Sequence, residues 1–415
     1  MEKLFLVITL LLLVSKTFGA NFCTPLDSPG PEQTITRIES GDVDDLLWQL
    51  RTASPDTTLS LADGVYSLAS DQSLEVNVPR ITIRSASGNR ESVIIERGYN
   101  NISVNADNFT VANLTLRTPR FHNIQVRGES GVRYTKAYNV HLLDAGQQFV
   151  KVSTGDGTLG QFADNGLVAC SLIEYTTYSS GTDITPPTYT DGVDILAGKD
   201  WVIRDNIFRR IRSKAGPAGP AILVWKNAMN TVVQRNLIID SWRGITLGLD
   251  KPDTLSRGGS QVFYDHQNGL VENNVILALH ESADAAIENN YAFNSQVFHN
   301  TVYYNETIKH AVDWSIEYRF LPTTAIIKNN LTNFPIIKRY PFPTRDAILA
   351  GNVTDAKVDW FENILADDFH LTRNVPAIDN SISITENSED IDGNARPIGK
   401  ASDAGADECE CPGLQ

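Results

Sequence analysis

Three acidic residues recur at one place in a short repeated phrase. The phrase is a small residue followed by apolar, variable and apolar positions, as in Gly192-Val-Asp-Ile195. Asp194, Glu288 and Asp313 occupy the variable position, which faces solvent if the apolar residues face a core. Paired carboxylates can hydrolyse a glycosidic bond, whereas several carboxylate oxygens together suit Ca²⁺. We therefore expect Asp194, with Glu288 or Asp313, to bind a substrate or to hold Ca²⁺.

Cations lie close to these acids in the sequence. Lys226 follows Trp225, and Arg243 precedes Gly244, at the ends of strands predicted to neighbour Asp194. β-Elimination on a uronic acid needs a cation that neutralises the carboxylate and a base that removes the proton on the adjacent carbon. Lys226 and Arg243 are the predicted catalytic pair, in either order. Three nearby arginines are predicted to bind further carboxylates or sulfates: Arg209, Arg210 and Arg212.

The segment that carries these cations is basic within an acidic chain. Between Lys199 and Arg257 there are eleven Lys/Arg and five Asp/Glu, a net charge of +6, whereas the whole chain carries −15. The overall charge argues against nucleic acid as a partner, and the local excess fits an acidic polysaccharide. A solvated charged face is the alternative interpretation. Trp225 is expected to stack on a sugar ring or to pack against the protein.

A second repeated phrase is centred on Asn. It places Asn at positions 113, 139, 206, 236, 274, 300, 330 and 352, with a smallest spacing of 22 residues. Each repeat holds at least two short strands, and no helical period recurs. Such strands are unstable alone, so a coil of stacked rungs is predicted. Asn206, Asn236 and Asn274 are expected to point inward and to stack on one bend, with Cys170 continuing the column.

The ends of the chain fit this architecture. Residues 41–51 are predicted to form an amphipathic helix that covers the open end of the coil. The rungs are predicted over residues 57–355, an irregular closing segment over 356–408 and a tail over 409–415. The whole of residues 21–408 is predicted to form a single domain.

Three features make the chain similar to the pectate-lyase-like superfamily. They are the capping helix with Leu59-Ser-Leu-Ala-Asp-Gly-Val-Tyr66, the Asn-centred rungs, and the tail with Asp390-Ile-Asp-Gly-Asn-Ala-Arg-Pro397 and Asp403-Ala-Gly-Ala-Asp407. The resemblance covers residues 34–408 and implies an all-β fold, a right-handed parallel β-helix of about ten rungs. Superfamily members include polysaccharide lyases, glycoside hydrolases, epimerases and non-catalytic adhesion proteins. No single family's catalytic motif is matched, so the resemblance assigns no catalytic residue.

The first 20 residues are predicted to be a signal peptide. A short start with one Lys precedes an apolar run over residues 4–14, which is too short to span a bilayer. No later segment is long and apolar enough to span one. We therefore expect a secreted protein without a membrane span, and a monomer.

Export permits disulfides and glycans. Cys170 is interpreted as a buried, unpaired thiol, and Cys23 as a partner for Cys409 or Cys411. Six Asn-x-Ser/Thr sequons are compatible with a glycoprotein: Asn101, Asn108, Asn113, Asn305, Asn330 and Asn352.

Three functions fit these observations. A lyase that cleaves an acidic, uronate-containing polysaccharide by β-elimination is the first choice, because the central rungs are basic. A glycoside hydrolase with paired carboxylates is the second, and a non-catalytic carbohydrate-binding or surface protein is the third. The seven His show no metal-ligand spacing, so Ca²⁺ is the one cofactor considered.

Overall fold

Three long sheets form the body of the protein, one of twelve strands and two of ten. The structure is a computed structural model. It describes residues 23–27, 29–155, 160–177, 188–214, 216–252, 257, 263–339, 345–384 and 387–411. The predicted signal peptide lies outside the described residues.

Ten turns of the chain each contribute one strand to each sheet, and the first sheet has one further strand at each end. The first sheet contains Thr34–Ile38, Thr57–Leu61, Ile81–Ser85, Thr110–Ala112, Lys136–Tyr138, Leu167–Ala169, Val202–Arg204, Val232–Gln234, Leu270–Glu272, Ser295–Phe298, Ala325–Lys328 and Ile348–Ala350. The second contains Leu74–Val76, Ile102–Val104, Ile124–Arg127, Val150–Ser153, Val193–Leu196, Pro220–Trp225, Arg243–Leu247, Ile287–Asn290, Ile316–Arg319 and Ile336–Lys338. The third contains Gly64–Leu68, Val93–Arg97, Thr115–Arg117, His141–Leu143, Leu172–Glu174, Ile207–Arg209, Leu237–Ile239, Val275–Ala278, Thr301–Tyr304 and Leu331–Thr332.

Apolar columns fill the space between the sheets. In the second sheet, Val193 and Ile195 are fully buried and stand opposite Ile222 and Val224 on the next strand, which runs parallel. Because each short strand is hydrogen-bonded to the rungs on both sides, stacking stabilises strands that would not form alone. The predicted parallel β-helix is confirmed, with ten to twelve strands per sheet. A further short sheet pairs Ala228–Met229, His266–Gln267 and Ala292–Phe293.

Within the described residues, one α-helix, Val43–Thr52, lies at the N-terminal end of the coil. Asp42 caps the helix by accepting a hydrogen bond from the Asp45 N–H at 2.9 Å. Leu46 and Leu50 are buried in the main core, so the apolar face of the helix covers the first rungs. The predicted capping helix is confirmed. Single-turn 3₁₀ helices are Gly128–Ser130, Val358–Trp360 and Ile364–Ala366.

Six asparagines form a buried ladder at the bend between the first and third sheets. Each Nδ2 donates to the next Oδ1 at 2.9–3.0 Å through Asn206, Asn236, Asn274, Asn300, Asn330 and Asn352. The Oδ1 of Asn236 and of Asn274 also accepts the backbone N–H of the preceding Asn, which satisfies turn groups that water cannot reach. The predicted inward stack of Asn206, Asn236 and Asn274 is confirmed.

The predicted start of the ladder was wrong by one residue. Ser171, not Cys170, continues the column, since its N–H donates to Asn206 Oδ1 at 3.0 Å. Cys170 lies one position earlier with φ 57°, in the left-handed conformation that Asn113 (57°) and Asn139 (49°) share. Asn is favoured both in the left-handed conformation and in the ladder. The repeated phrase therefore aligned residues of two neighbouring columns, one left-handed and one in the ladder, as if they were equivalent.

Cys170 is paired, contrary to the prediction. It forms a disulfide with Cys23, with Cα atoms 5.6 Å apart, and Cys409 pairs with Cys411. Neither pairing was predicted, because the sequence does not show that the N-terminal segment runs along the outside of the first sheet. There Tyr138 Oη donates to a backbone carbonyl of this segment at 2.6 Å. The Cys23 disulfide thus ties the N-terminal segment to the middle of the coil.

Asn236→Leu is expected to lower the free energy of unfolding by about 1–3 kcal/mol, because the Asn206 N–H and the Ile203 carbonyl would lose partners in the core. Urea denaturation measures the loss. Asn77 is the matched control: it is exposed, and among the described residues its side chain accepts a hydrogen bond from Asn105, 28 residues later in the chain, so Asn77→Leu should cost less than about 0.5 kcal/mol. Equal losses for the two variants would contradict a stabilising role for the ladder.

The closing segment packs along the side of the coil. Its antiparallel strands Phe361–Asn363 and Asp368–Leu371, with Ile364 between them, share a second apolar core with Leu237 and Leu277 on the outer face of the third sheet. The third-sheet strands Leu237–Ile239, Val275–Ala278 and Thr301–Tyr304 are therefore buried on both faces. The segment predicted to close the end of the coil instead covers this sheet.

The sequons differ in exposure. Asn101, Asn113 and Asn330 expose at most 4% of their surface, so a glycan on them would disrupt the folded core. Asn108 is exposed. Glycosylation therefore remains a prediction, and Asn108 is the sequon that best accommodates it.

Candidate functional site

The second sheet presents a column of outward side chains. Opposite Asp194 stand, on successive strands, Lys151 on one side and Leu223, Thr246, Glu288 and Glu317 on the other. Asp194 and Glu288 lie on the outer side of the strand alternation, as predicted, but they do not face solvent, since they are only 2% and 0% exposed. Asp313 lies outside the column and is exposed, because its strand begins three residues later, at Ile316.

The predicted calcium ligands do not converge. Asp194 and Glu288 are three strands apart in the column, or about 14 Å at the usual spacing of parallel strands. One ion cannot bind both carboxylates, since Ca²⁺–oxygen distances are about 2.3–2.6 Å.

Asp194 is instead held by two protein partners. Lys151 Nζ forms an ion pair with Asp194 Oδ2, and the Trp225 Nε1–H donates to Oδ1 at 2.9 Å. The side chains of Lys151 and Asp194 are only 13% and 3% exposed. Burial alone would lower the pKa of Lys151, but the attraction of the Asp194 carboxylate is the main effect in the other direction, and the pKa is raised. Asp194 is thus a fixed carboxylate with a permanent counter-ion.

Asp191 is the second buried acid. Its Oδ2 accepts a hydrogen bond from Gln148 Nε2 at 3.2 Å, and its Oδ1 has no hydrogen-bond partner in the part of the chain that the structure describes. Burial, followed by repulsion from Asp194, raises the pKa of Asp191 to about 7. Only glycine fits at Gly219, because a Cβ there would collide with Asp191 Oδ1. A carboxyl group with this pKa can both take and give a proton near neutrality.

A cleft of about 420 Å³ opens above these acids. Tyr189, Trp225 and Trp242 line it together with Leu223, and Tyr189 is 45% exposed. Aromatic and apolar walls around a few polar groups are typical of small-molecule sites, and aromatic faces stack on sugar rings. The cleft therefore combines a stacking surface with a proton-transfer group.

Of the two predicted catalytic cations, Arg243 lines the cleft, whereas Lys226 follows the strand Pro220–Trp225 and is not a lining residue. Arg243 donates to Asp284 Oδ2 at 2.7 and 2.9 Å. Lys226 Nζ lies 5.1 Å from the centre of the Trp225 ring. Because Arg243 stands opposite Pro220, six residues separate the two backbone positions, or about 20 Å. The structure therefore does not bring the two predicted catalytic cations to one point.

The three predicted substrate-binding arginines do not line the cleft. Arg209 pairs with Asp367 at 3.2 Å, and Arg210 pairs with Glu174 at 3.1 Å. Arg212 is buried and donates to two backbone carbonyls. All three follow the third sheet, whereas Asp194 lies on the second, so their placement does not support the predicted role.

The basic segment is largely neutralised within the fold. Eight of its cations form ion pairs with carboxylates: Lys199, Arg204, Arg209, Arg210, Arg212, Arg235, Arg243 and Arg257. Several of these acids come from outside the segment, such as Asp164, Asp284 and Asp367. The +6 excess is therefore not an open basic surface.

The cleft residues do not present a calcium ligand set. Ca²⁺ takes about six to eight oxygen ligands. Both oxygens of Asp194 are engaged, and the Lys151 ammonium already sits where a cation would neutralise this carboxylate. Asp191 Oδ1 is the one buried cleft oxygen without a partner among the described residues.

Two central residues were missed at the sequence level. Lys151 lies in Val150-Lys-Val152, where alternation marks it as outward, and Asp191 lies three residues before Asp194. The alternation could have identified Lys151. No sequence signal shows that Asp191 is buried, because its burial depends on residues from other rungs.

The comparison with known proteins supports the fold. No family model and no curated protein matches the sequence. Among solved structures, pectate lyase Pel9A matches with a TM-score of 0.58 and 10% identity, over 91% of this chain and 97% of that chain. A rhamnogalacturonan lyase matches with a TM-score of 0.50 and 10% identity, over 75% and 84%. At such identities the likeness shows the fold alone, a parallel β-helix.

Proposed function

We propose that the protein is a secreted enzyme that cleaves an acidic, uronate-containing polysaccharide by β-elimination in the Asp191 cleft. The observation that carries the proposal is the position of Asp191, a buried carboxyl group with a pKa of about 7 beneath aromatic walls. The fold is shared with two solved lyases, which favours elimination over hydrolysis.

The proposed mechanism uses the residues of the cleft. Ionised Asp191 takes the proton from the carbon next to the uronate carboxylate, the bond from the next carbon to the glycosidic oxygen breaks as the double bond forms, and the leaving oxygen takes up a proton from water. Arg243 lies near enough to Asp191 to lower its pKa, and it pairs with the uronate carboxylate. Tyr189 and Trp242 position the sugar ring, and Lys226 binds a unit further along the polymer. Lys151 holds Asp194 in place.

Hydrolysis is the second candidate. Asp191 precedes the strand Val193–Leu196 that carries Asp194, so two carboxyl groups with different environments lie close in the chain, and Arg243 already has an acidic partner. A cleft with paired cations attracts a polyanion less than an open basic surface would. In a hydrolase, protonated Asp191 would act as the general acid.

The deciding experiment incubates the purified protein with a panel of uronate polymers and neutral polysaccharides. We expect new ultraviolet absorbance from unsaturated ends on one uronate polymer, and activity that persists in EDTA because Arg243 neutralises the uronate carboxylate. New reducing ends without absorbance would identify a hydrolase. Binding without either product would identify a carbohydrate-binding protein, and a strict requirement for Ca²⁺ would contradict the role given to Arg243.

The secreted location is part of the proposal. The Cys23–Cys170 disulfide supports it, because disulfides persist mainly in oxidising compartments. No helix among the described residues is long and apolar enough to cross a membrane. Size-exclusion chromatography with light scattering tests the proposed monomer.

A further inference from the structure

A second cluster of polar side chains lies in the closing segment, on the far side of the third sheet from the cleft. His370 projects from the strand Asp368–Leu371, Asp392 from the following loop and Asp407 from the end of the segment. One ligand atom from each of these three residues lies within 4.8 Å of the other two. Three separate stretches of chain thus bring a nitrogen and two carboxylates to one point.

The hydrogen bonds around His370 orient its ring. Nδ1 lies 2.5 Å from Asp368 Oδ1, and Nε2 lies 2.8 Å from Asp392 Oδ2. When the Nδ1–H donates to a carboxylate, the Nε2 atom can exchange its hydrogen bond with Asp392 for a bond to a metal, as in carboxylate–histidine–metal triads. Asp368 therefore holds the Nε2 side of the ring toward Asp392 and Asp407.

Asp407 is the buried member of the cluster. It is 4% exposed, and its Oδ2 accepts the Leu371 N–H at 2.8 Å. Its Oδ1 receives no hydrogen bond from the residues that the structure describes, and Asp407 lines a cavity beside the cluster. A cation at this point would satisfy it.

We propose that His370, Asp392 and Asp407 bind a divalent transition metal of the zinc class, with Asp368 as the positioning residue. Imidazole with carboxylate ligands suits Zn²⁺ better than Ca²⁺, which prefers oxygen alone. Ligand atoms about 2 Å from one ion lie within about 4 Å of each other, so small side-chain rotations complete the site. A cavity of about 490 Å³ beside the cluster leaves room for water as a further ligand.

The bound metal would join the strand, the loop and the end of the closing segment. Its function is thus structural, and it is independent of the cleft and of the proposed elimination. Because the metal binds the folded chain, zinc is expected to raise the unfolding temperature.

The test uses the full mature chain, freed of metal with a chelator and dialysed. Isothermal titration with Zn²⁺ and metal analysis after dialysis are expected to show one ion per chain and a higher unfolding temperature. His370→Ala should abolish this binding, and Asp368→Asn should weaken it about 10- to 100-fold. His280→Ala is the matched control, because His280 also pairs with an Asp, Asp240, but is 68% exposed, and it should bind zinc like the wild type.

Several results would overturn the proposal. They are no zinc bound by the wild type, unchanged binding in His370→Ala, or tighter binding of Ca²⁺ than of Zn²⁺. If His370→Ala does not fold, as judged by circular dichroism, Asp392, whose side chain is 15% exposed, provides the second variant. Asp392→Asn should then weaken zinc binding, and full affinity in that variant would also reject the site.

Discussion

Asp191→Asn is expected to lower polysaccharide cleavage at least about 100-fold, because an amide cannot transfer the proton and general acid–base groups contribute about 10²–10⁴. Asn preserves the size of the side chain beneath Gly219, so binding of the polymer should change little. In the proposed elimination, the wild-type rate rises as the pH passes about 7, where Asp191 becomes ionised. A rate that falls over the same range would show that Asp191 acts as an acid, as in hydrolysis.

Stability measurements provide the folding control for this variant. The native pKa of Asp191, about 7, lies above its ordinary value of about 3.9, so the folded chain keeps a proton that the unfolded chain releases. The stability due to this group is therefore full below about pH 4 and is lost as the pH rises toward 7. Asp191→Asn removes that loss and should be more stable than the wild type at pH 8.

Asp359→Asn, at an exposed acid of the closing segment, should change neither activity nor stability. Full activity in Asp191→Asn would contradict the proposed role.

The fold was predictable because it repeats. Many rungs carry the same alternation, so the inward positions of Val193 and Ile195 follow from one short phrase. Errors arose where two columns favour the same residue type. Asn113 and Asn139 adopt the left-handed conformation while Asn206 forms the ladder, and both positions read as Asn in a turn. The ladder was therefore predicted to continue through Cys170 in place of Ser171, and Cys170 was predicted to be an unpaired core thiol.

The site was less predictable because its partners come from different rungs. The sequence places Asp194 on the outer face but does not reveal that Lys151, 43 residues earlier, neutralises it. The basic segment showed an excess of charge, yet Arg257 and Arg209 are paired with acids far away in the sequence, Asp164 and Asp367. Local composition cannot show such long-range pairing. Charge in a solenoid must therefore be counted along each column as well as along the chain.

Lys151→Met is expected to lower the free energy of unfolding by about 3–5 kcal/mol, because it leaves the buried Asp194 carboxylate without its counter-ion. Met keeps an unbranched stem of similar length, so little apolar contact is lost. Asp194 would retain only the hydrogen bond from Trp225 Nε1. Urea denaturation at neutral pH measures the change, and a cost below about 1 kcal/mol, typical of exposed pairs, would contradict a buried ion pair.

The double variant Lys151→Met/Asp194→Asn separates charge from packing. An amide at position 194 carries no charge, and its oxygen can still accept the Trp225 hydrogen bond, so the double variant should recover most of the stability that Lys151→Met loses. Activity gives an independent readout, because repulsion from Asp194 helps to raise the pKa of Asp191. Asp194→Asn should therefore shift the pH at which cleavage switches on toward lower values. An unchanged pH profile would mean that burial alone sets the pKa of Asp191, and that Asp194 only anchors Lys151 and Trp225.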